Sequence, residues 1–306
     1  MPLTRRHFLQ AAAAAPLSSA ALAGAQQAGS ESDKAPVVDC HVHCFAGEDN
    51  PRFPYHARAP YRPAESSPPE RLLELMDQAG IDRAVIVHPE PYQDDHRYLE
   101  HCLTVGDGRL KGTVLVFSDR PDSAAKLPEL ARRLDVVAVR VHAYAPDRLP
   151  PFGKPELRAL WKSAADSGLA IQLHFEPRYA PGFEPLIREF RDTTVIIDHL
   201  GRPLQGTPKE HAVVVRCSRF PNTVIKLSSL RTTRDYPHRD LRPIVKQLTG
   251  AYGAGRMIYG GGFGADATAE SYRAAVEQGR SFIAHLSADE QAQVLGGNAM
   301  RLFKWS

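Results

Sequence analysis

Outside an alanine-rich stretch near its amino terminus, the chain has no apolar run approaching the ~18 residues that span a bilayer. No transmembrane segment is therefore expected in the mature protein. Charge of one sign is lacking too. The 38 basic and 35 acidic side chains nearly cancel, and without Arg5 and Arg6 of an expected leader the 38 become 36. A basic nucleic-acid footprint is excluded. Cysteine is scarce. Cys40, Cys44, Cys102 and Cys217 show no disulfide framework, and Cys40 and Cys44 lie too far apart along one expected strand for an easy bridge. Buried thiols are the simpler reading. Internal repeats are missing as well. What is present, 43% hydrophobic and 24% charged residues over 306 positions, suits a globular chain with material for a large core.

Thr4-Arg5-Arg6-His7-Phe8-Leu9-Gln10 leads into the apolar run Ala11 to Ala25, which ends on the small residues Ala23-Gly24-Ala25. A charged head, an apolar middle and a small-residue end read as a signal peptide over residues 1–25. Paired arginines followed by Phe-Leu resemble the twin-arginine signal, so export through that machinery to the periplasm is expected. Residues 26–36 read as a linker, and 37–306 as one domain.

From Val37 onward, β-rich runs alternate with amphipathic ones. Strands are expected at Val37–Phe45, Arg83–Pro89, Lys111–Phe117, Val136–Ala143, Ala170–Phe175, Thr194–His199, Thr223–Ser228 and Arg256–Gly260. Helical spacing recurs between them, as in Arg71-Leu72-Leu73-Glu74-Leu75-Met76. Eight such alternations predict a parallel (β/α)8 barrel. The rival doubly wound sheet lacks its Gly-x-Gly-x-x-Gly after the first strand. The segment Ala46–Ser67 is longer than a barrel turn requires and is expected to cover part of a pocket. Ser287–Ser306 should form a closing helix.

Histidines mark the carboxyl ends of these strands. In Asp39-Cys40-His41-Val42-His43, strand alternation would put Asp39, His41 and His43 on one face. His174 ends the fifth strand and His199 the sixth, so four imidazoles would ring one mouth. Arg140, His142 and Tyr144 on the fourth strand, and Lys226 and Ser228 on the seventh, face the same way. His88, His96, His101, His211, His238 and His285 lack such company and read as ordinary polar positions.

On these residues the chain resembles the amidohydrolase superfamily, in the branch with sugar lactonases, the pyrone-dicarboxylate lactonase and some decarboxylases. The matching stretches are Val38-Asp39-Cys40-His41-Val42-His43, Leu173-His174, Ile197-Asp198-His199-Leu200-Gly201-Arg202-Pro203, Lys226-Leu227-Ser228 and Gly296-Gly297-Asn298-Ala299-Met300-Arg301-Leu302-Phe303. One position departs from the pattern. Where the family carries Gly-Ser-Asp-Trp-Pro at the eighth strand, this chain has Gly260-Gly261-Gly262-Phe263-Gly264, with Gly262 at the aspartate position.

The resemblance implies a hydrolase acting on a small lactone or related cyclic ester. His41, His43 and His174 would hold one divalent ion, zinc or manganese, which would polarise a carbonyl or acidify a water; a metal-free centre stays open. His199 would hydrogen-bond the water or the oxyanion. Arg140, Lys226, Tyr144 and Gln172 would position the substrate. With Gly262 unable to act, Asp266, Glu176 and His142 are the candidate bases, and only His142 ordinarily titrates near neutral pH. Two other readings remain: a non-catalytic barrel that binds a carbohydrate or aromatic acid, and a metal-dependent decarboxylase or lyase.

Overall fold

The computed structural model describes residues 35–120, 122–144, 148–230 and 240–305. The expected signal peptide, most of the linker and His238 lie outside them. The strands are β1 (Val38–Val42), β2 (Arg83–Val87), β3 (Leu110–Leu115), β4 (Val136–Ala143), β5 (Ala170–Phe175), β6 (Val195–Ile197), β7 (Thr223–Leu227) and β8 (Met257–Tyr259). Between and after them run α1 (Pro69–Ala79), α2 (Arg97–Gly106), α3 (Ser123–Arg133), α4 (Pro155–Asp166), α5 (Ala180–Glu189), α6 (Pro208–Arg216), α7 (Arg242–Tyr252) and α8 (Ala269–Phe282). The strands pair in parallel and in chain order from β1 to β8. The result is a (β/α)8 barrel, as the alternation predicts.

Local chemistry sets the boundaries. Pro69, Pro155 and Pro208 open α1, α4 and α6, where a missing N–H costs nothing. Thr207 and Glu210 form a capping box on α6, and Gly80 ends α1 in the left-handed region at φ 74°.

Inside the barrel, side chains stack in layers. Val38, Cys40, Val85, Ala138, Ala170, Ile196 and Ile258 make an apolar bottom layer. The carboxyl-terminal segment closes it from below. Two short helices, α9 (Ala288–Ala292) and α10 (Asn298–Leu302), flank a π-helical turn, and Ala299 and Phe303 pack into the bottom layer. Val294 and Leu295 are buried, as the closing helix requires. One layer up, the residues are polar: Thr113, Arg140, Gln172, Asp198 and Lys226, all buried. His43, His142, His174 and His199 stand above them at the mouth.

In β1 the expected alternation breaks. The β1–β2 register shifts between Asp39 and Val42. Cys40 therefore belongs to the interior bottom layer, while Asp39 turns away from the mouth and accepts the Tyr272 hydroxyl of α8 at 2.8 Å. His41 and His43 still reach the mouth, but Asp39 does not share their face. A regular period of two misses this, because a bulge resets the phase.

Ala46–Ser67 is a packed wall. Phe45 and Ser67 bridge its two ends, and Phe53 and Tyr55 are buried against Tyr98 and Tyr92. Arg58 and Pro60 from this segment line the cavity at the mouth.

Candidate active site

Asp198 is the hub. It follows Ile197, the last residue of β6, points inward in phase with Ile196, and is 1% exposed. Its Oδ2 accepts Arg140 Nε at 3.1 Å, Arg140 Nη2 at 3.0 Å and Gln172 Nε2 at 2.9 Å. Lys226 Nζ lies 3.0 Å from its Oδ1, and His41 Nδ1 3.7 Å away. Gln172 is held in turn by the Thr113 hydroxyl. Burial works against this carboxylate, but Lys226 and Arg140 hold it well below its ordinary range. Two cations against one carboxylate leave this buried layer with a surplus positive charge.

The imidazoles above it are packed against one another. Ring centroids lie 5.0 Å apart for His41 and His43, 4.4 Å for His41 and His199, and 5.2 Å for His174 and His199. Burial, reinforced by Arg140 and Lys226, pushes His43 down to about 4 and His199 to about 3. His41 and His174 fall well below 6.5, burial first, with His199 and Lys226 adding to it at His41 and Arg140 at His174. All four are neutral at pH 7.

A carbonyl partner fixes one tautomer, and a hydroxyl orients a second ring. The Val87 carbonyl can only accept, so His43 donates from Nδ1 at 2.7 Å and leaves Nε2 bare. Ser228 Oγ accepts the His199 backbone N–H at 3.2 Å and pairs with His199 Nδ1 at 2.8 Å, which orients the ring. This placement is held by a strained turn: His199, Leu200 and Arg202 all have φ between 54° and 56°. Gly201 continues the run at φ 70°, where a Cβ would strike Val214 at 2.5 Å. His211, read from sequence as ordinary, donates to the Leu200 carbonyl at 2.7 Å and buttresses the turn.

A second carboxylate, which the sequence reading missed, stands at the rim. Glu90 Oε1 lies 3.0 Å from His142 Nδ1, 2.6 Å from the Tyr144 hydroxyl and 2.9 Å from Arg148 Nη1. Burial opposes its ionisation, yet the hydrogen bonds from His142 and Tyr144 and the Arg148 charge bring it down to about 2. Glu90, His142 and Arg148 line a cavity of about 410 Å³, together with Arg58, Phe117 and Arg120.

The other expected site residues fall in different places. Arg140, Lys226 and Gln172, expected on substrate, are turned onto Asp198 beneath the imidazoles; the cavity's guanidiniums are Arg58, Arg120 and Arg148. Tyr144 packs its ring 5.1 Å from His174. Asp266 is exposed on the loop before α8, and Glu176 pairs with Arg178 just beyond β5. The glycines after β8 supply no side chain to the mouth. A Cβ on Gly262 would point at α8, 2.6 Å from the Tyr272 ring.

Imidazoles, a buried carboxylate and two buried cations at the carboxyl ends of parallel strands make this mouth the active-site face of a barrel enzyme. The amidohydrolase family model matches residues 38–305, and the chain belongs to that family. It is 28% identical to the L-fucono-1,5-lactonase of Burkholderia ambifaria over 87% of this chain and 95% of the relative. With the 2-pyrone-4,6-dicarboxylate hydrolase of Comamonas testosteroni it shares 31% identity over 55% of this chain and 52% of that one. The crystal structure of a zinc-bound Burkholderia multivorans amidohydrolase superposes with a TM-score of 0.72 at 17% identity, covering 89% of this chain and all of the other, which is a likeness of fold.

A comparable ion would need a seat here. Among the described residues, His41, Asp198 and His199 bring ligand atoms within 4.8 Å of one another; His41, His43 and His174 do not form such a group. The seat already holds a cation. Lys226 Nζ sits 3.0 Å from Asp198 Oδ1 and 3.4 Å from His41 Nδ1, and Arg140 covers the other oxygen. A divalent ion would add two charges to a layer already in positive surplus. The arrangement does not fit a catalytic metal.

Stability should respond to acid. Unfolded imidazoles take protons near 6.5, whereas His43 and His199 refuse them until about 4 and about 3. Between those limits the unfolded chain binds more protons, so stability falls as pH drops from 6.5. The expected loss between pH 7 and 5 is about 1–2 kcal/mol per buried imidazole. Urea midpoints at the two pH values read it directly, and equal midpoints would contradict it.

Proposed function

We propose that this chain hydrolyses a small lactone bearing a carboxylate. The observation that carries this reading is the positively biased buried layer beneath a ring of neutral imidazoles. Such a layer favours anionic groups above it, in the substrate and in the oxyanion that forms on carbonyl attack. His199, in the tautomer with its hydrogen on Nε2, is suited to donate to that oxyanion. Arg58, Arg120 and Arg148 in the cavity lining suit a carboxylate substituent. The relatives named for fuconolactone and pyrone-dicarboxylate hydrolysis support the same class. On the Arg5-Arg6 motif, we take the enzyme to be exported.

The test is a panel of five- and six-membered lactones, with and without a free carboxylate, followed by proton release. A carboxylated lactone should exceed its methyl ester in kcat/KM by ~10-fold or more, the yield of one charge-assisted contact. Turnover should survive a chelator. Tight binding with no turnover would instead make this a binding barrel, and release of carbon dioxide would make it a lyase.

A further inference from the structure

Among the described residues the glycines after β8 bring no side chain to the mouth, so the hydrolase reading needs a base from elsewhere. We infer that Glu90 and His142 form a carboxylate–imidazole pair in which His142 is that base and Glu90 its positioning residue. The inference rests on the lactone reading above.

Glu90 is ionised and can only accept, so His142 must carry its hydrogen on Nδ1, 3.0 Å away. The neutral ring then has its lone pair on Nε2. That atom is buried and has no hydrogen-bond partner among the described residues. A buried orphan acceptor costs about 1–3 kcal/mol and calls for an explanation. Its neighbour shares the condition: His174, the ladder partner of His142 across β4 and β5, has its Nδ1 equally unpartnered, with ring centroids 5.2 Å apart. Two neighbouring rings each with a nitrogen that lacks a partner, one of them lining the 410 Å³ cavity together with Glu90, mark where an attacking water would be taken up from that cavity.

The chemistry balances there. As the water oxygen bonds the acyl carbon, its proton passes to His142 Nε2. The ring C–O bond then breaks, and the departing alkoxide takes the proton back from His142. One lactone and one water give one hydroxy acid, and the catalyst returns to its starting state. Glu90 stays ionised, holding the tautomer and steadying the imidazolium formed midway. The charged and titratable groups facing His142 are Glu90 from the loop after β2, Arg140 on β4, Tyr144 and Arg148 beyond it, His174 on β5 and Asp198 after β6.

Two readouts test the pair on the full chain. Nitrogen-15 NMR should find wild-type His142 protonated on Nδ1 and bare on Nε2; a hydrogen on Nε2 would overturn the assignment whatever the substrate. Against the best lactone of the panel, Glu90→Gln should lower kcat by ~10²-fold with KM little changed, and His142→Asn by ~10²–10⁴-fold. The double variant should be no worse than His142→Asn alone, and Glu90→Asp should recover part of the loss. Additive losses, or a Glu90→Gln kcat within about 3-fold of wild type, would reject the pair while leaving the hydrolase reading standing. A wild-type chain that turns over none of the panel would reject that reading and the base with it.

Discussion

Asp198→Asn is expected to destabilise the barrel by about 3–5 kcal/mol, because it keeps the shape of the side chain and removes the one charge that Arg140 and Lys226 share. Both cations are nearly inaccessible, at 4% and 1% exposure, so water cannot replace the lost partner. For a domain of this size the melting temperature should fall on the order of 10 °C. The double change Asp198→Asn with Lys226→Met should recover part of that drop, since it removes an unpaired ammonium together with its counter-ion. A single variant that melts within about 2 °C of wild type would mean that solvent reaches this layer and that its charge bias is illusory.

Restoring the family's aspartate should fail. Gly262→Asp would put a Cβ 2.6 Å from Tyr272 Cδ2 and 3.0 Å from the Ala275 Cβ. Tyr272 cannot easily swing away, being fully buried with its hydroxyl on Asp39. Overpacking of this kind costs about 1–3 kcal/mol, and a carboxylate buried beside Asp39 adds to it. The expected result is a lower melting temperature with no gain in lactone turnover. Trimming the obstacle in Gly262→Asp/Tyr272→Ser should give less destabilisation than the two single changes summed. A Gly262→Asp protein that is both stable and faster would show that position 262 does reach the mouth.

The barrel was legible because its signal is redundant: eight alternations each vote for the same architecture. β4 and β5 match their expected ranges, since Val136–Ala143 and Ala170–Phe175 stay extended to their ends. β6 and β8 are shorter than expected, three residues each. There the chain leaves strand geometry early, for the left-handed turn at His199 and for the glycines. The histidines were legible as a group because strand phase puts them at one rim. What each of them bonds was not, because that depends on neighbours distant in sequence. Asp198 lies in phase with Ile196, so its inward aim was readable, but not that it would capture Arg140 and Lys226. Glu90 sits between two prolines in a short turn after β2, with no periodic pattern to single it out.

Asp39 has a consequence for the mechanics of the cylinder. The parallel ladders run from β1 to β8 without a ladder from β8 back to β1 among the described residues. That seam is held by a clasp: Asp39 takes the Gly261 N–H at 2.6 Å and the His41 N–H at 2.9 Å with one oxygen, and Tyr272 with the other. The barrel is thus closer to a strip buckled shut than to a continuous hoop. The buckle grips both the residue bearing the first imidazole and the loop that replaces the family's carboxylate, so the loss of one acid at the rim is spanned by another on the seam.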